Sequence, residues 1–176
     1  MNYYGAKELA ASLRVVRKNT LQIAEDIPED KYGFKPTPEC MSVAQVLAHI
    51  ALGYQFQKFV HVEEKRTTLA GIDFMALIGR FRAAEAALTT KAQIVDALKA
   101  NGEAWASWVE GLSDAFLAEQ VEMPAGPPPT KSRFEMLLST KEHEMHHRGQ
   151  LMVFERLLGL TPHLTRERQA RMAPQK

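Results

Sequence analysis

The chain has 176 residues, a formal net charge of +1 and 45% hydrophobic residues, which predicts one globular domain over residues 1–176. The balanced charge excludes an overall field that selects nucleic acid or an anionic membrane, so neither is an expected partner. A single cysteine, Cys40, excludes an internal disulfide and a cysteine-rich zinc site. With no signal-peptide order and no apolar run of membrane length, we expect a cytoplasmic protein.

The first predicted helix covers residues 6–25. Apolar or small side chains recur in it at helical spacing and mark the side that faces a core, namely Leu9, Leu13, Val16, Thr20, Ile23 and Ala24. Arg14, Arg17 and Lys18 are expected to point elsewhere. The helix ends before Pro28, because proline disfavours helical backbone at the residue that precedes it.

A second predicted helix opens at Ser42 and ends near His61 or Glu63. Ser42 and Gln45 form a capping box, in which the hydroxyl accepts from a free backbone N–H and the glutamine side chain reaches back. His49 lies at the edge of the apolar stripe of this helix. A histidine there is either a hydrogen-bonded packing residue or a group that points into a cleft.

The middle of the chain is the least decided part of the sequence, because residues 64–90 show little clear period. Residues 67–75 fit a loop or a short turn, and residues 74–87 are apolar enough for a short helix. A third long helix is predicted over residues 91–112, with Thr90 as its cap.

Residues 113–130 are predicted to form an extended loop, since they contain three consecutive prolines. Ser132 and Glu135 then form a capping box for the longest helix, which ends just before Gly159. The tail at residues 163–176 is expected to fray. No pair of alternating runs predicts a sheet. Four long amphipathic segments therefore predict an all-α fold, a four-helix bundle.

The longest helix carries the most informative stretch, H-E-M-H-H at residues 143–147. His143 and His147 are four residues apart, so a helix places both imidazoles on one face, where they can hold one divalent metal ion. Three of the six histidines lie within these five residues, which argues against chance clustering on a solvated face. Without cysteine to complete the coordination, the metal keeps an open position for water or substrate, as in catalytic sites.

The other histidines give weaker indications. His146 projects about 100° around the helix from His147, and we expect it to face solvent or to support the ligands. His61 and His163 have no partner in sequence and are expected at the surface.

Two blocks of this chain resemble the DinB/YfiT-like family. One is P-T-P-E-C-M-S at residues 36–42 leading to A-H-I at residues 48–50, and the other is H-E-M-H-H-R-G-Q-L at residues 143–151. Their order and separation also match, so the resemblance covers nearly the whole chain. It implies a four-helix bundle in which His49, His143 and His147 bind zinc, nickel or a related ion. Members of the family are often homodimers, so the resemblance also implies a homodimer.

The resemblance also implies an activity. Characterised members include transferases and isomerases that use low-molecular-weight thiols. We therefore expect a metal-dependent enzyme, a thiol-dependent S-transferase or a hydrolase, in which an activated thiol or water attacks a small electrophilic molecule.

Two alternatives stay open. The protein could be a non-catalytic homodimeric module that binds a metal or a small ligand. It could also be a metallopeptidase, because the stretch fits H-E-x-x-H with Glu144 as general base and Glu167 as a distant ligand. The metzincin extension fails, since Gln150 and Val153 stand where glycine and histidine are required.

Overall fold

The computed structural model of the protein describes residues 4–173. The helices are α1 (Ala6–Asp26), α2 (Val43–Leu52), α3 (Gln55–Lys58), α4 (Phe74–Ala86), α5 (Lys91–Glu110), α6 (Asp114–Ala118), α7 (Arg133–Leu157) and α8 (His163–Met172). A 3₁₀ turn covers Glu29–Lys31 and a π-helical turn covers Phe59–Glu63. The strands β1 (Gln120–Glu122) and β2 (Thr130–Ser132) pair in antiparallel fashion.

The four long segments form the predicted bundle. Helix α1 packs against α5 and α7, and α2 packs against the same two helices. Helix α4 lies outside this arrangement and packs against α2. The all-α fold is confirmed. Within residues 4–173, no helix combines the length and the apolar character that a membrane span requires.

The local signals in the sequence identified the helix starts correctly. Both predicted capping boxes, Ser42 with Gln45 and Ser132 with Glu135, are present. Thr90 caps α5 as expected. The core side of α1 is also as predicted, since all six of its marked side chains are buried, namely Leu9, Leu13, Val16, Thr20, Ile23 and Ala24.

The second predicted helix is broken near its middle. Helix α2 ends at Leu52, α3 begins at Gln55, and the π-helical turn then reaches Glu63. Gly53 lies at the break, and a Cβ atom there would lie only 3.0 Å from Nδ1 of His143 on α7. A glycine at this point lets α2 approach α7 closely.

Two expectations about the loops and the tail are wrong. Residues 113–130 contain α6 and β1, and β1 pairs with β2, although no sheet was predicted. Strands of three residues are too short to give an alternating signal, and only Val121 in the middle of β1 is buried.

The tail does not fray over residues 163–172, which form α8. Nη2 of Arg166 lies 2.6 Å from Oδ2 of Asp26, and Nε2 of His163 lies 3.3 Å from Oδ1 of Asn19. These contacts hold α8 against α1. The paired residues are far apart in sequence, so local sequence patterns do not predict the pairing. Residues 174–176 of the predicted tail lie outside the described residues.

Glu155 on α7 is a buried acid near this junction. Its side chain is 0% exposed, and neither carboxylate oxygen has a hydrogen-bond partner among residues 4–173. Burial, reinforced by the charge of Asp26 and opposed by Arg166 and Arg156, raises the pKa of Glu155 to about 7. The folded protein therefore holds a proton that the unfolded chain releases near its ordinary, lower pKa.

We expect Glu155 to make the free energy of unfolding fall as pH rises. Its favourable contribution is complete below the unfolded pKa and is lost as pH rises through about 7. Between pH 5 and pH 8 the free energy of unfolding of the metal-free protein should fall by about 2 kcal/mol more than that of Glu155→Gln. Urea unfolding at both pH values measures this, with Glu167→Gln, an exposed acid, as the control. Identical pH profiles for the wild type and Glu155→Gln would contradict the prediction.

Candidate metal centre

The fold brings together the three histidines that were predicted as metal ligands. Helix α7 carries His143 and His147 one turn apart, and α2, which packs against it, carries His49. Nε2 of His143 lies 3.0 Å from Nε2 of His49 and 3.2 Å from Nε2 of His147. The ring centroids of His49 and His147 are 4.9 Å apart. Each residue offers one nitrogen, and these atoms all lie within 4.8 Å of one another.

The spacing of these nitrogen atoms fits a single ion. A tetrahedral zinc ion with Zn–N bonds of about 2.0–2.1 Å separates its nitrogen ligands by about 3.3 Å. The separations of 3.0 and 3.2 Å that involve His143 need change by only a few tenths of an ångström, and the ligand nitrogens of His49 and His147 lie within 4.8 Å of each other. The three side chains are half-buried, so one side of the cluster stays open.

Two neighbouring side chains set the tautomers that a metal requires. Oε1 of Glu85, on α4, lies 2.8 Å from Nδ1 of His49, and Oε1 of Gln150 lies 2.9 Å from Nδ1 of His147. A carboxylate or amide oxygen only accepts hydrogen bonds, so each Nδ1 carries the proton and donates it. The Nε2 lone pairs of both rings then point into the cluster, as metal ligands must.

The surroundings also keep the two histidine rings on α7 neutral. Burial, together with the charges of the neighbouring His147 and His49, lowers the pKa of His143 to about 4. Burial likewise lowers the pKa of His147, and the hydrogen bond that His147 donates to Oε1 of Gln150 opposes this by raising the pKa. Protons therefore compete poorly for these nitrogens at neutral pH.

The two supporting residues were missed by the sequence analysis as partners of the ligands. Glu85 lies within the undecided residues 64–90, and no pattern there relates it to His49. Gln150 follows His147 by three residues, a helical spacing that could have identified this hydrogen bond.

Glu144 points away from the cluster and into the core of the bundle. Its oxygens accept hydrogen bonds from Nε and Nη2 of Arg17 at 2.9 and 3.0 Å, and from Oγ1 of Thr20 at 2.7 Å. The residue is only 4% exposed, so it cannot act on a substrate as the H-E-x-x-H interpretation requires. Glu167 is exposed on α8 and pairs with Arg171 at 3.8 Å.

The expectation that Arg17 points away from the core is wrong. Its guanidinium enters the bundle through space that Gly102 leaves, since a Cβ atom at residue 102 would lie 2.8 Å from Nη1 of Arg17. There it also donates to the backbone oxygens of Leu98 at 2.7 Å and Ile50 at 3.3 Å. Packing against Arg17 therefore requires a glycine at residue 102, although glycine is unfavourable inside a helix such as α5.

Two further histidines are buried rather than at the surface as expected. His61 is 2% and His163 is 4% exposed. Nδ1 of His61 accepts from Nη1 of Arg133 at 2.8 Å, and its Nε2 lies 2.9 Å from Oε1 of Gln57. Burial and the charge of Arg133 lower the pKa of His61 to about 4, so it is a neutral structural residue. His146 is exposed, as expected.

A cleft of about 1120 Å³ opens beside the cluster, with His49 and His143 in its wall. Helix α4 forms one side of the cleft and α2 forms the other. Most of the wall is apolar, and its larger members are Met41, Leu52, Phe56, Ile78, Phe81 and Leu88. An apolar cleft with a few convergent polar groups is the usual form of a small-molecule site.

Comparisons with known proteins agree with this fold. Two solved structures from Bacillus subtilis are similar to the chain. The DinB-like protein YjoA is 22% identical, with a TM-score of 0.64, over 88% of this chain and 94% of that one. YfiT, described as a probable metal-dependent hydrolase with an unusual four-helix bundle topology, is 15% identical, with a TM-score of 0.68, over 92% and 91%.

A third structure, the sibling lethal factor precursor DfsB, is 13% identical, with a TM-score of 0.65, over 91% of this chain and 100% of that one. No curated protein sequence matches the chain significantly. The family model of the DinB superfamily matches residues 12–151, a span that contains α2, α4 and most of α7. The chain therefore belongs to the DinB superfamily.

Proposed function

We propose that this protein is a metal-dependent enzyme in which His49, His143 and His147 hold one divalent ion at the edge of a substrate cleft. The observation that carries the proposal is the convergence of three Nε2 atoms from two helices beside a large apolar cleft. The description of YfiT as a probable metal-dependent hydrolase supports it. Zinc or nickel suits three neutral imidazoles.

Such an ion supplies a Lewis acid with an open position, which lowers the pKa of a water or thiol that occupies it. The protein's own side chains orient the ligands and shape the environment of the substrate. Glu85 and Gln150 fix the orientation of His49 and His147, and the apolar wall excludes bulk water from the substrate. Among residues 4–173, Glu85 is the carboxylate that contacts these histidines. With three neutral ligands the ion would outweigh this single negative charge, and the remaining positive charge would favour an anionic nucleophile.

We propose that the reaction is attack by water or by a low-molecular-weight thiol on a small electrophilic molecule, giving a hydrolase or an S-transferase. The cleft of about 1120 Å³ is slightly larger than the usual range of about 300–1,000 Å³, which leaves room for a thiol beside an acceptor. A panel of esters and amides, tested with and without added thiols, distinguishes the two reactions.

Protein purified without a histidine tag and reconstituted with zinc or nickel is the sample for this panel. We expect turnover that disappears on chelation and is absent in His143→Ala. Metal binding without turnover of any compound would favour the non-catalytic module instead.

Glu85 gives a test that does not depend on knowing the substrate. Glu85→Ala removes the acceptor that holds His49, so the affinity for zinc should fall about 10- to 100-fold. Competition with a chromophoric chelator measures this. Glu63→Ala is the matched control, because Glu63 is the acid that pairs with Arg80 of α4, at 3.7 Å. An equal loss in both variants would mean that a loosened α4, and not the orientation of His49, causes the effect.

A further inference from the structure

Helix α4 places two charged side chains in the wall of the cleft, and only one of them has a partner. Glu85 is bound to His49. Arg82 precedes it by three residues, lines the cleft and is exposed. Within residues 4–173, Arg82 makes neither an ion pair nor a hydrogen bond.

The other polar side chains of the wall are already engaged. Each of them makes a hydrogen bond within the fold, namely Gln45, Gln57, Thr89, Ser139 and Thr140. Arg80, two residues from Arg82, is also satisfied, since it pairs with Glu63 and stacks on Phe59 and Phe81. In the part of the chain that the structure describes, Arg82 is therefore the one charged side chain of this largely apolar wall that has no partner.

We infer that Arg82 recognises the carboxylate of a largely apolar ligand that occupies the cleft. The inference names the substrate class of the proposed enzyme, and it rests on the cleft being the substrate site. A guanidinium binds a carboxylate through two parallel N–H donors, and such charge-assisted pairs are stronger than neutral ones. The apolar walls accommodate the rest of the molecule.

The arrangement also orients the ligand. Residues three apart on a helix have Cβ atoms about 5–6 Å apart, so the carboxylate lies roughly one helical turn from Glu85 and His49. The negative charge of Glu85 disfavours a second anionic group on the part of the ligand that lies near Glu85 and His49. The reactive bond then lies several bonds from the carboxylate, where the apolar body reaches the histidines.

A phosphate monoester fits this wall less well. It carries nearly two charges and three acceptor oxygens, and among residues 4–173 the cleft wall offers only Arg82 as a cation without a partner to meet them. The ligand is therefore a carboxylic acid with an aryl or alkyl body.

The test measures binding to metal-free protein, so its outcome is separate from metal loading and from turnover. The probes are 4-phenylbutyrate, 4-phenylbutanol and 4-phenylbutyl phosphate, which share one apolar body, and calorimetry gives each dissociation constant. The wild type should bind the carboxylate more tightly than the alcohol or the phosphate. Arg82→Gln should weaken binding of the carboxylate about tenfold and leave that of the alcohol unchanged. Arg80→Gln, which removes the same charge from the same helix, should change neither.

Several results would overturn the inference. They are undetectable binding of the carboxylate, equal affinity of the wild type for carboxylate and alcohol, tighter binding of the phosphate, or an equal loss in Arg80→Gln. If the carboxylate binds only after zinc is added, and Arg82→Gln does not weaken it, then the ion and not Arg82 is its partner. That result rejects the role of Arg82 and leaves the proposed metal centre intact.

Discussion

Replacing His49 with alanine is expected to abolish stoichiometric metal binding. Two of the three clustered nitrogens come from α7, and His49 on α2 supplies the third. Its Nε2 lies 3.0 Å from that of His143. Loss of a supporting hydrogen bond costs about 10- to 100-fold in metal affinity, so loss of a ligand should cost more than about 100-fold. Metal analysis after dialysis and chelator competition both measure the change.

Two control variants make this result specific. His146→Ala removes an exposed imidazole next to His147 and should leave the metal content unchanged. Glu167→Ala should also leave it unchanged, whereas a metallopeptidase that used Glu167 as a ligand would lose its metal. Retention of a full equivalent by His49→Ala would show that the triad is not the binding site.

The second large effect concerns the buried ion pair between Arg17 and Glu144. Arg17→Met removes both charge-assisted hydrogen bonds to Glu144 and leaves this 4%-exposed carboxylate with Thr20 as its remaining side-chain partner. Breaking a buried pair from one side costs about 3–5 kcal/mol, because it leaves an uncompensated charge. The free energy of unfolding in urea should fall by about this amount.

Arg14→Met is the matched control for this variant, because Arg14 lies on the same helix and pairs with Glu103 and Glu110 at the surface. Exposed pairs contribute about 0–1 kcal/mol, so its effect should be small. The double variant Arg17→Met/Glu144→Gln should recover much of the lost stability, since neither of these two positions then buries a charge. Equal effects of Arg17→Met and Arg14→Met would contradict the assignment of a buried pair.

The ion pair between Arg17 and Glu144 also gives a way to distinguish the two interpretations of Glu144, as a peptidase base or as a structural partner of Arg17. If Glu144 were the general base of a peptidase, Glu144→Gln would stop catalysis and leave the fold intact. In this structure the same change weakens a connection between α7 and α1, so its main effect should be on stability.

Features encoded by neighbouring residues were predictable from the sequence. The capping boxes at Ser42 and Ser132 and the four-residue spacing of His143 and His147 depend only on helical geometry, and all are present. The placement of His49 beside them needed the family resemblance, because its position at the edge of an apolar stripe is equally consistent with packing.

Features that depend on tertiary contact were not predictable. The hydrogen bond from His49 to Glu85, the path of Arg17 past Gly102 and the docking of α8 through Arg166 each join residues far apart in sequence. No local period records such a pairing. The homodimer implied by the family resemblance stays a prediction.

The most direct test of this account is the coordination of the ion in untagged protein loaded with zinc. X-ray absorption at the zinc edge, together with a crystal structure phased at that edge, gives the number, identity and distance of the ligands. We predict one ion per chain bound by Nε2 of His49, His143 and His147 at about 2.0–2.1 Å, with one or more positions left to water. An ion bound without His49, or the absence of a stoichiometric ion after reconstitution, would contradict the account.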